Sequence, residues 1–338
     1  MRYRKICLFM FMLVCCVLLA NKVSASEMSF SVQAVIPENQ IDKSQSYFDL
    51  KMQPNQSQDL TVELYNNTEK DLAISVTPNA ATTNQNGVVE YNNQTDKRDD
   101  SLKISFKDIV TTEELVTVPA KSNKQLTVHL KMPKDVYKGV MLGGLYFTEK
   151  VSDKTDKDTK QSQVVNRYAY VIGVQLTESE ESVNPELKLN GVKATQINYR
   201  NAFTANIQND KAAIVKELAI DGAIYKKGSN EPIYSESRKG LKMAPNSNFD
   251  YVIGLGDKPF KPGKYIFKGT AKSEGKQWQF EKRFEIEGKA AKKLNENSVS
   301  ISKDHSWIYL TLGGSVLISL LTLVIILMIK LKTSRSDR

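Results

Sequence analysis

The chain has 338 residues, of which 41% are hydrophobic and 25% charged, with a formal net charge of +9. Residues 1–25 carry +4 of that excess and residues 330–338 carry +3, which leaves +2 between them, so the basic balance does not indicate nucleic-acid binding. All three cysteines (Cys7, Cys15, Cys16) lie near the start and the two histidines are His129 and His305, which excludes a His/Cys zinc centre, thiol chemistry and a disulfide framework.

In chain order, Arg2, Arg4 and Lys5 precede an apolar run from Ile6 to Ala20, which closes on Val23-Ser24-Ala25. Basic start, short apolar run and small-residue site predict a secretory signal peptide over residues 1–25, and hence export. The mature chain has no cysteine, so its stability must come from core packing alone. Residues 28–149 read as strands. Leu60, Val62 and Leu64 alternate with Thr61 and Glu63; Leu72, Ile74 and Val76 and then Leu126, Val128 and Leu130 repeat the pattern. A period of two places one set of side chains inward and the other in water. Asn66-Asn67-Thr68 separates the first two runs as a turn.

Residues 150–163 are dominated by Lys and Asp and predict a solvated linker or loop. The interleaved lysines there, with no glycine and no distal glutamate, argue against a calcium loop at Asp153, Asp156 and Asp158. Residues 164–288 predict a second β-sandwich. Trp278, Phe280, Phe284 and Ile286 share one parity against Gln277, Gln279, Glu281, Arg283 and Glu285, and Lys282 interrupts the apolar face as an edge strand would. Pro245-Asn246-Ser247-Asn248 and Pro262-Gly263 punctuate the strands. A polar linker is expected over 289–306. The 23 residues from Trp307 to Ile329 carry no charge and are followed by Lys330, Lys332, Arg335 and Arg338. That pattern predicts a single membrane span over 307–329 with residues 330–338 in the cytoplasm. The expected architecture is all-β: two sandwiches, then one C-terminal transmembrane helix.

Chemistry is marked mostly by absences. No nucleophile elbow, P-loop or dinucleotide fingerprint occurs. The acidic pairs Asp99-Asp100, Glu113-Glu114 and Glu180-Glu181 are scattered, and neighbours on a strand point to opposite faces, unlike the convergent carboxylates of a glycosidase. No catalytic residue, cofactor or metal is expected. Tyr47, Tyr65, Tyr91 and Tyr146 could each stack on a sugar ring or pack at a sheet edge.

The run Ile36-Pro37-Glu38-Asn39-Gln40 followed by Tyr47-Phe48-Asp49-Leu50 resembles the opening of the WxL-interacting proteins of low-GC Gram-positive bacteria. Ala80 through Tyr91 and Gly139 through Phe147 are similar to the same N-terminal domain. Arg167 through Leu176, Ala244 through Phe249 and Trp278 through Ile286 are similar to the second domain. The resemblance implies two immunoglobulin-like domains, the first binding peptidoglycan and the second a host or matrix protein. It implies a secreted partner carrying a Trp-x-Leu domain. This chain has no such motif: Trp278 precedes Gln-Phe and Trp307 precedes Ile-Tyr. The resemblance assigns domain roles rather than binding residues; the candidate glycan-binding residues are Asn39, Gln40, Tyr47 and Tyr91. Three functions compete on this reading. They are a membrane-anchored assembly protein of the cell wall, a host extracellular-matrix adhesin acting directly, and a wall-glycan hydrolase.

Overall fold

The computed structural model describes residues 28–92, 97–150, 168–179, 181–301, 311–312 and 314–326. The expected signal peptide lies outside these residues. Strands β1 (Phe30–Val35), β3 (Ser57–Asn66), β9 (Asn123–Lys131) and β7 (Val110–Thr112) form one sheet in that order. Strands β2 (Phe48–Lys51), β11 (Ala169–Thr177), β10 (Val140–Glu149), β4 (Leu72–Ala80) and β8 (Leu115–Val118) form the sheet facing it. All pairings are antiparallel except β11 with β2, which is parallel.

The alternation seen in sequence closes this sandwich. Leu60, Val62, Leu64, Ile74, Val76, Leu126, Val128 and Leu130 are buried in one core with Phe30, Phe48, Phe106, Leu145 and Phe147. A fully buried side chain of this size contributes about 1.5–3 kcal/mol, so the core replaces the missing disulfides. Gly143 faces inward, where a Cβ would come within 2.1 Å of the Phe106 ring.

The boundary between domains falls later than the charged stretch suggested. Strand β11 pairs with β10 along its length, from Val140 opposite Thr177 to Thr148 opposite Ala169. The expected linker or loop over 150–163 lies, apart from Lys150, outside the described residues; the strands before and after it in the chain are neighbours in the first sandwich. The chain passes to the second domain between Thr177 and Leu187, not at residue 164. A run of Lys and Asp reports solvation, and a long hairpin connection is as solvated as a domain linker.

The second sandwich opposes two sheets. One holds β12 (Leu187–Ile197), β13 (Arg200–Asn209) and β16 (Ser247–Gly254) in that order. The other holds β15 (Pro232–Met243), β14 (Val215–Lys226), β17 (Gly263–Ser273) and β18 (Lys276–Ile286). Phe203, Ile220, Tyr251, Ile253 and Phe267 are central in its core. Trp278 and Phe280 are buried there, and Phe284 packs edge-on against Phe203 and stacks with Tyr265. These aromatics fill their own domain. Strand β18 is a sheet edge, and Lys282 is exposed on it as its sequence position implied.

The expected polar linker over 289–306 begins as helix α1 (Gly288–Asn297). Its Ala291 is buried, and Leu294 packs against the second core. Asn295 fastens it: its Oδ1 accepts from the Phe260 N–H at 2.8 Å and its Nδ2 donates to the Phe260 carbonyl at 3.0 Å. Further on, residues 311–312 and 314–326 are helical with exposed apolar side chains, including Leu317, Ile318 and Leu320. Among the described residues no helix is long and apolar enough to cross a membrane. The ends of the expected 307–329 span lie outside the described residues.

A small hairpin joins the two sandwiches. Strands β5 (Thr82–Thr83) and β6 (Val89–Glu90) project from the first domain. The Thr83 hydroxyl accepts from the Ala244 N–H at 3.0 Å and shares a 2.7 Å hydrogen bond with Ser247. The Lys242 N–H donates to the Gly87 carbonyl at 2.7 Å. Opposite this, the Val140 N–H donates to the Ala212 carbonyl at 2.7 Å. Gly139 makes that approach possible. Its φ is +94° and a Cβ would lie 2.2 Å from the Ala212 oxygen. The domains thus share a polar, buried seam, with Thr83, Asn246 and Ser247 all below one-tenth exposed.

Candidate binding site

Beside this seam, the outward face of the β2-β11-β10-β4 sheet carries the two tyrosines singled out in sequence. Gly144 on β10 lies opposite Gly173 on β11 and opposite Asn79 on β4. Two neighbouring glycines leave a flat patch of bare backbone. The ring of Tyr91 lies on it: a Cβ at Gly144 would meet that ring at 2.9 Å, and one at Gly173 would sit 3.8 Å from the Tyr91 hydroxyl. The Asn79 amide donates to the Tyr91 carbonyl at 2.8 Å and holds the residue in place. Tyr47 reaches the same patch, with its Cβ 3.7 Å from the Gly173 position.

Gln40 positions Tyr47. Its side chain is buried; Nε2 donates to the Tyr47 carbonyl at 2.9 Å and to the Asp42 carbonyl at 3.1 Å, and Oε1 accepts from the Asp49 N–H at 3.0 Å. These three bonds fold the loop between them back onto β2. Within the loop, Asp42 accepts from Gln45 and from the hydroxyl and N–H of Ser44, which lowers its carboxyl to about 2. Gln40 is therefore a support and is not presented as a contact surface.

Tyr47, Tyr91, Gly173, Gln175, Leu142 and Val171 form one wall of a cleft of about 690 Å3, with Val88 from the hairpin. Ile214, Gly240 and Lys242 of the second domain form the other wall. Gln175 donates to the buried carboxylate of Asp49 at 2.9 Å. Burial raises the Asp49 carboxyl, an effect that this hydrogen bond opposes. Burial also raises both tyrosine hydroxyls; nearby Asp49 and Asp42 add to the effect at Tyr47, and Tyr47 adds to it at Tyr91. Both phenols are neutral donors at physiological pH.

The other sequence candidates lie elsewhere. Asn39 exchanges two 2.8 Å hydrogen bonds with Gln58, so its amide is closed on a neighbour outside the cleft. Tyr65 donates to Glu63 on its own strand. Tyr146 faces outward on β10, two residues beyond Gly144. Asp99 accepts from Ser101, from Gln208 Nε2 at 2.7 Å and from Asn248, and so belongs to the domain seam. Among the described residues no group of His, Cys, Asp and Glu could hold a metal ion. His129 pairs with Asp59 at 2.6 Å on the exposed face of its sheet.

Sequence reasoning did not find Gly173, Gln175 or Lys242. Gly144 falls inside the run Gly139 through Phe147, but nothing there announces the ring packed on it, which is 53 residues away. Lys242 had no signal at all, since its neighbourhood comes from another domain.

The fold defines a two-domain β-sandwich protein with a cleft between its domains. Residues 30–149 match the sequence model described as WxL Interacting Protein, peptidoglycan binding domain. Residues 159–296 match that described as WxL Interacting Protein, host binding domain. The chain belongs to the WxL-interacting protein family. The second match begins before β11, which the structure places in the first sandwich. No curated protein matches the chain. Among solved structures, the chain is similar to the CsuC-CsuE chaperone-tip adhesion subunit pre-assembly complex of Acinetobacter baumannii. Identity is 14%, over 75% of this chain and 97% of that one, with a TM-score of 0.31. The YadV chaperone is 10% identical over 76% of this chain and 100% of that one, with a TM-score of 0.29. The DraB chaperone of E. coli is 12% identical over 76% and 98%, with a TM-score of 0.28.

Proposed function

We propose that this chain is a non-enzymatic assembly protein of the cell surface, bound to peptidoglycan through its first domain and to a WxL-domain protein through its ectodomain. The observation that carries the reading is the match of peptidoglycan-binding and host-binding domains in tandem over residues 30–149 and 159–296. Both are binding domains, and of the three acidic pairs weighed for a hydrolase, Asp99 of the first is used to join the two sandwiches. Export by residues 1–25 and a single membrane span over 307–329 complete the proposal. The exposed apolar side chains of 314–326 support the span, because such a band on a helix needs lipid or protein around it.

The proposed contact with the WxL-domain partner is through an exposed β-edge, where unpaired N–H and C=O groups can accept a strand. Direct adhesion to host matrix is the second reading, favoured by the description of the second domain. The experiment mixes the purified full chain with insoluble peptidoglycan, and separately with a WxL domain encoded beside it. Sedimentation with the wall and co-elution at tens of micromolar are expected. No enrichment over an unrelated β-sandwich protein on the wall removes the first contact, and no co-elution removes the second.

A further inference from the structure

The cleft beside Tyr91 is built by both domains, although the peptidoglycan-binding match covers only the first. We propose that it is a composite saccharide site that takes an N-acetylated sugar carrying a carboxylate, with the first domain supplying the ring platform and the second the counter-charge. The proposal rests on the peptidoglycan reading above and locates it.

Four observations support this. First, Tyr91 lies across the Gly144–Gly173 patch, backed by backbone rather than by side chains. A ring supported in this way offers an apolar platform to the C–H face of a pyranose. Second, hydrogen-bonding groups stand around that platform. The two phenols are held neutral, and Gln175 is oriented by the buried Asp49 carboxylate. Sugar hydroxyls and amides need such donors and acceptors when they leave water. Third, Val88 (54% exposed) and Val171 (41% exposed) flank the rings, giving the methyl of an acetyl group apolar surface to cover. Fourth, Lys242 is the one charged side chain lining the cleft among the described residues. It is exposed, while its N–H is fixed to Gly87 in the hairpin of the first domain. The carboxylates beside Tyr47 are already engaged, Asp49 by Gln175 and Asp42 by Ser44 and Gln45, so Lys242 on the opposite wall is the charge in the lining that meets a ligand, and it favours one with a negative group. A muramyl unit of a wall glycan has this combination of ring, acetyl group and carboxylate, the last free on the lactyl ether or, where that is amidated, carried by the attached peptide as in muramyl dipeptide.

The test uses the full-length protein in detergent and measures sedimentation with insoluble peptidoglycan, with muramyl dipeptide or neutral chitotriose as competitor. Val171→Arg obstructs the cleft from an exposed position, and Tyr91→Ala removes the platform. Each is expected to weaken wall binding about tenfold. Val136→Arg, 62% exposed and outside the cleft lining, is expected to bind as the parent does. Muramyl dipeptide is expected to compete better than chitotriose, by about threefold to fivefold. Lys242→Met is expected to abolish that preference while leaving chitotriose competition unchanged. Circular dichroism melts show whether each variant is folded, and Tyr91→Phe, which keeps the ring, is expected to retain most binding. If the parent binds the wall and Val171→Arg binds equally well, the site lies elsewhere: the proposal falls and the peptidoglycan reading stands. If Lys242→Met keeps the preference for the acid, the second domain has no part in the site and the composite claim falls. If the parent itself does not sediment, the peptidoglycan reading fails and takes this proposal with it.

Discussion

Asp99 illustrates how much of the junction depends on single polar side chains. Its carboxylate accepts from Ser101 within the first domain and from Gln208 and Asn248 across the seam. Burial on its own would raise the group. The hydrogen bonds from Ser101, Asn248 and Gln208 outweigh it and hold the carboxyl below the ordinary range. A depressed folded-state value means that the stabilisation is fully present above the unfolded value, about 3.9. It is lost as pH falls through the folded value. Asp99→Asn is therefore expected to cost about 1 kcal/mol at neutral pH, a modest figure because the group is partly solvated. The gap between variant and parent should shrink in thermal melts taken near pH 3; a gap independent of pH would show that the carboxylate charge has no part. Gly139 is a sharper case. At φ +94° and with the Ala212 oxygen 2.2 Å from any Cβ, Gly139→Ala meets both backbone strain and a backbone clash. It is expected to cost roughly 2 kcal/mol or more. The damage should be confined to the seam, with amide exchange rising at Val140 while the core of β3 and β9 stays protected.

At the scale of elements, the strands were legible because one rule governs them. Leu60, Val62 and Leu64 face the core and their neighbours face water, as the two-residue period requires. Two features were not legible, for one shared reason. The charged stretch at 150–163 and the Lys/Asn-rich stretch after Gly288 look alike in composition, yet the first joins two strands of one sheet and the second opens with a docked helix. Composition reports how well a segment tolerates water, not what it is attached to. In α1 the signal was sparse: Ala291 and Leu294, three apart, make a single narrow apolar contact. The rest of its attachment is Asn295 on Phe260 and Asn201, and Gln196 on the Leu294 carbonyl. The cleft was half legible for a similar reason: its tyrosines are sequence-visible aromatics, while the partners of the rings come from distant strands. Asn295→Ala is expected to cost about 1–2 kcal/mol. Hydrogen exchange over 288–297 should rise well before exchange in β17, and equal protection in both proteins would show that the helix is held by its apolar contact alone.

At the scale of the whole molecule, the two sandwiches are joined on both sides of the hairpin and by polar contacts from Asp99, Thr83 and Asn246. Domains tied in this way should lose structure together. Calorimetry of residues 26–306 is expected to show one heat transition, insensitive to reductant because that stretch has no cysteine. Two resolved transitions would mean that the seam contributes less than either core. The helix at the far end sets a different property, which is depth. The Val299 N–H is bonded to the Tyr199 carbonyl at 2.9 Å, so the second domain keeps hold of the chain beyond α1. Only residues 300–306 then separate it from the apolar run that begins at Trp307. Even fully extended, seven residues reach about 25 Å. In the proposed anchored protein the second domain would therefore ride low, within a few helix diameters of the lipid. A ligand for that domain would have to come in through the wall to meet it, or be presented there by a partner that spans the distance.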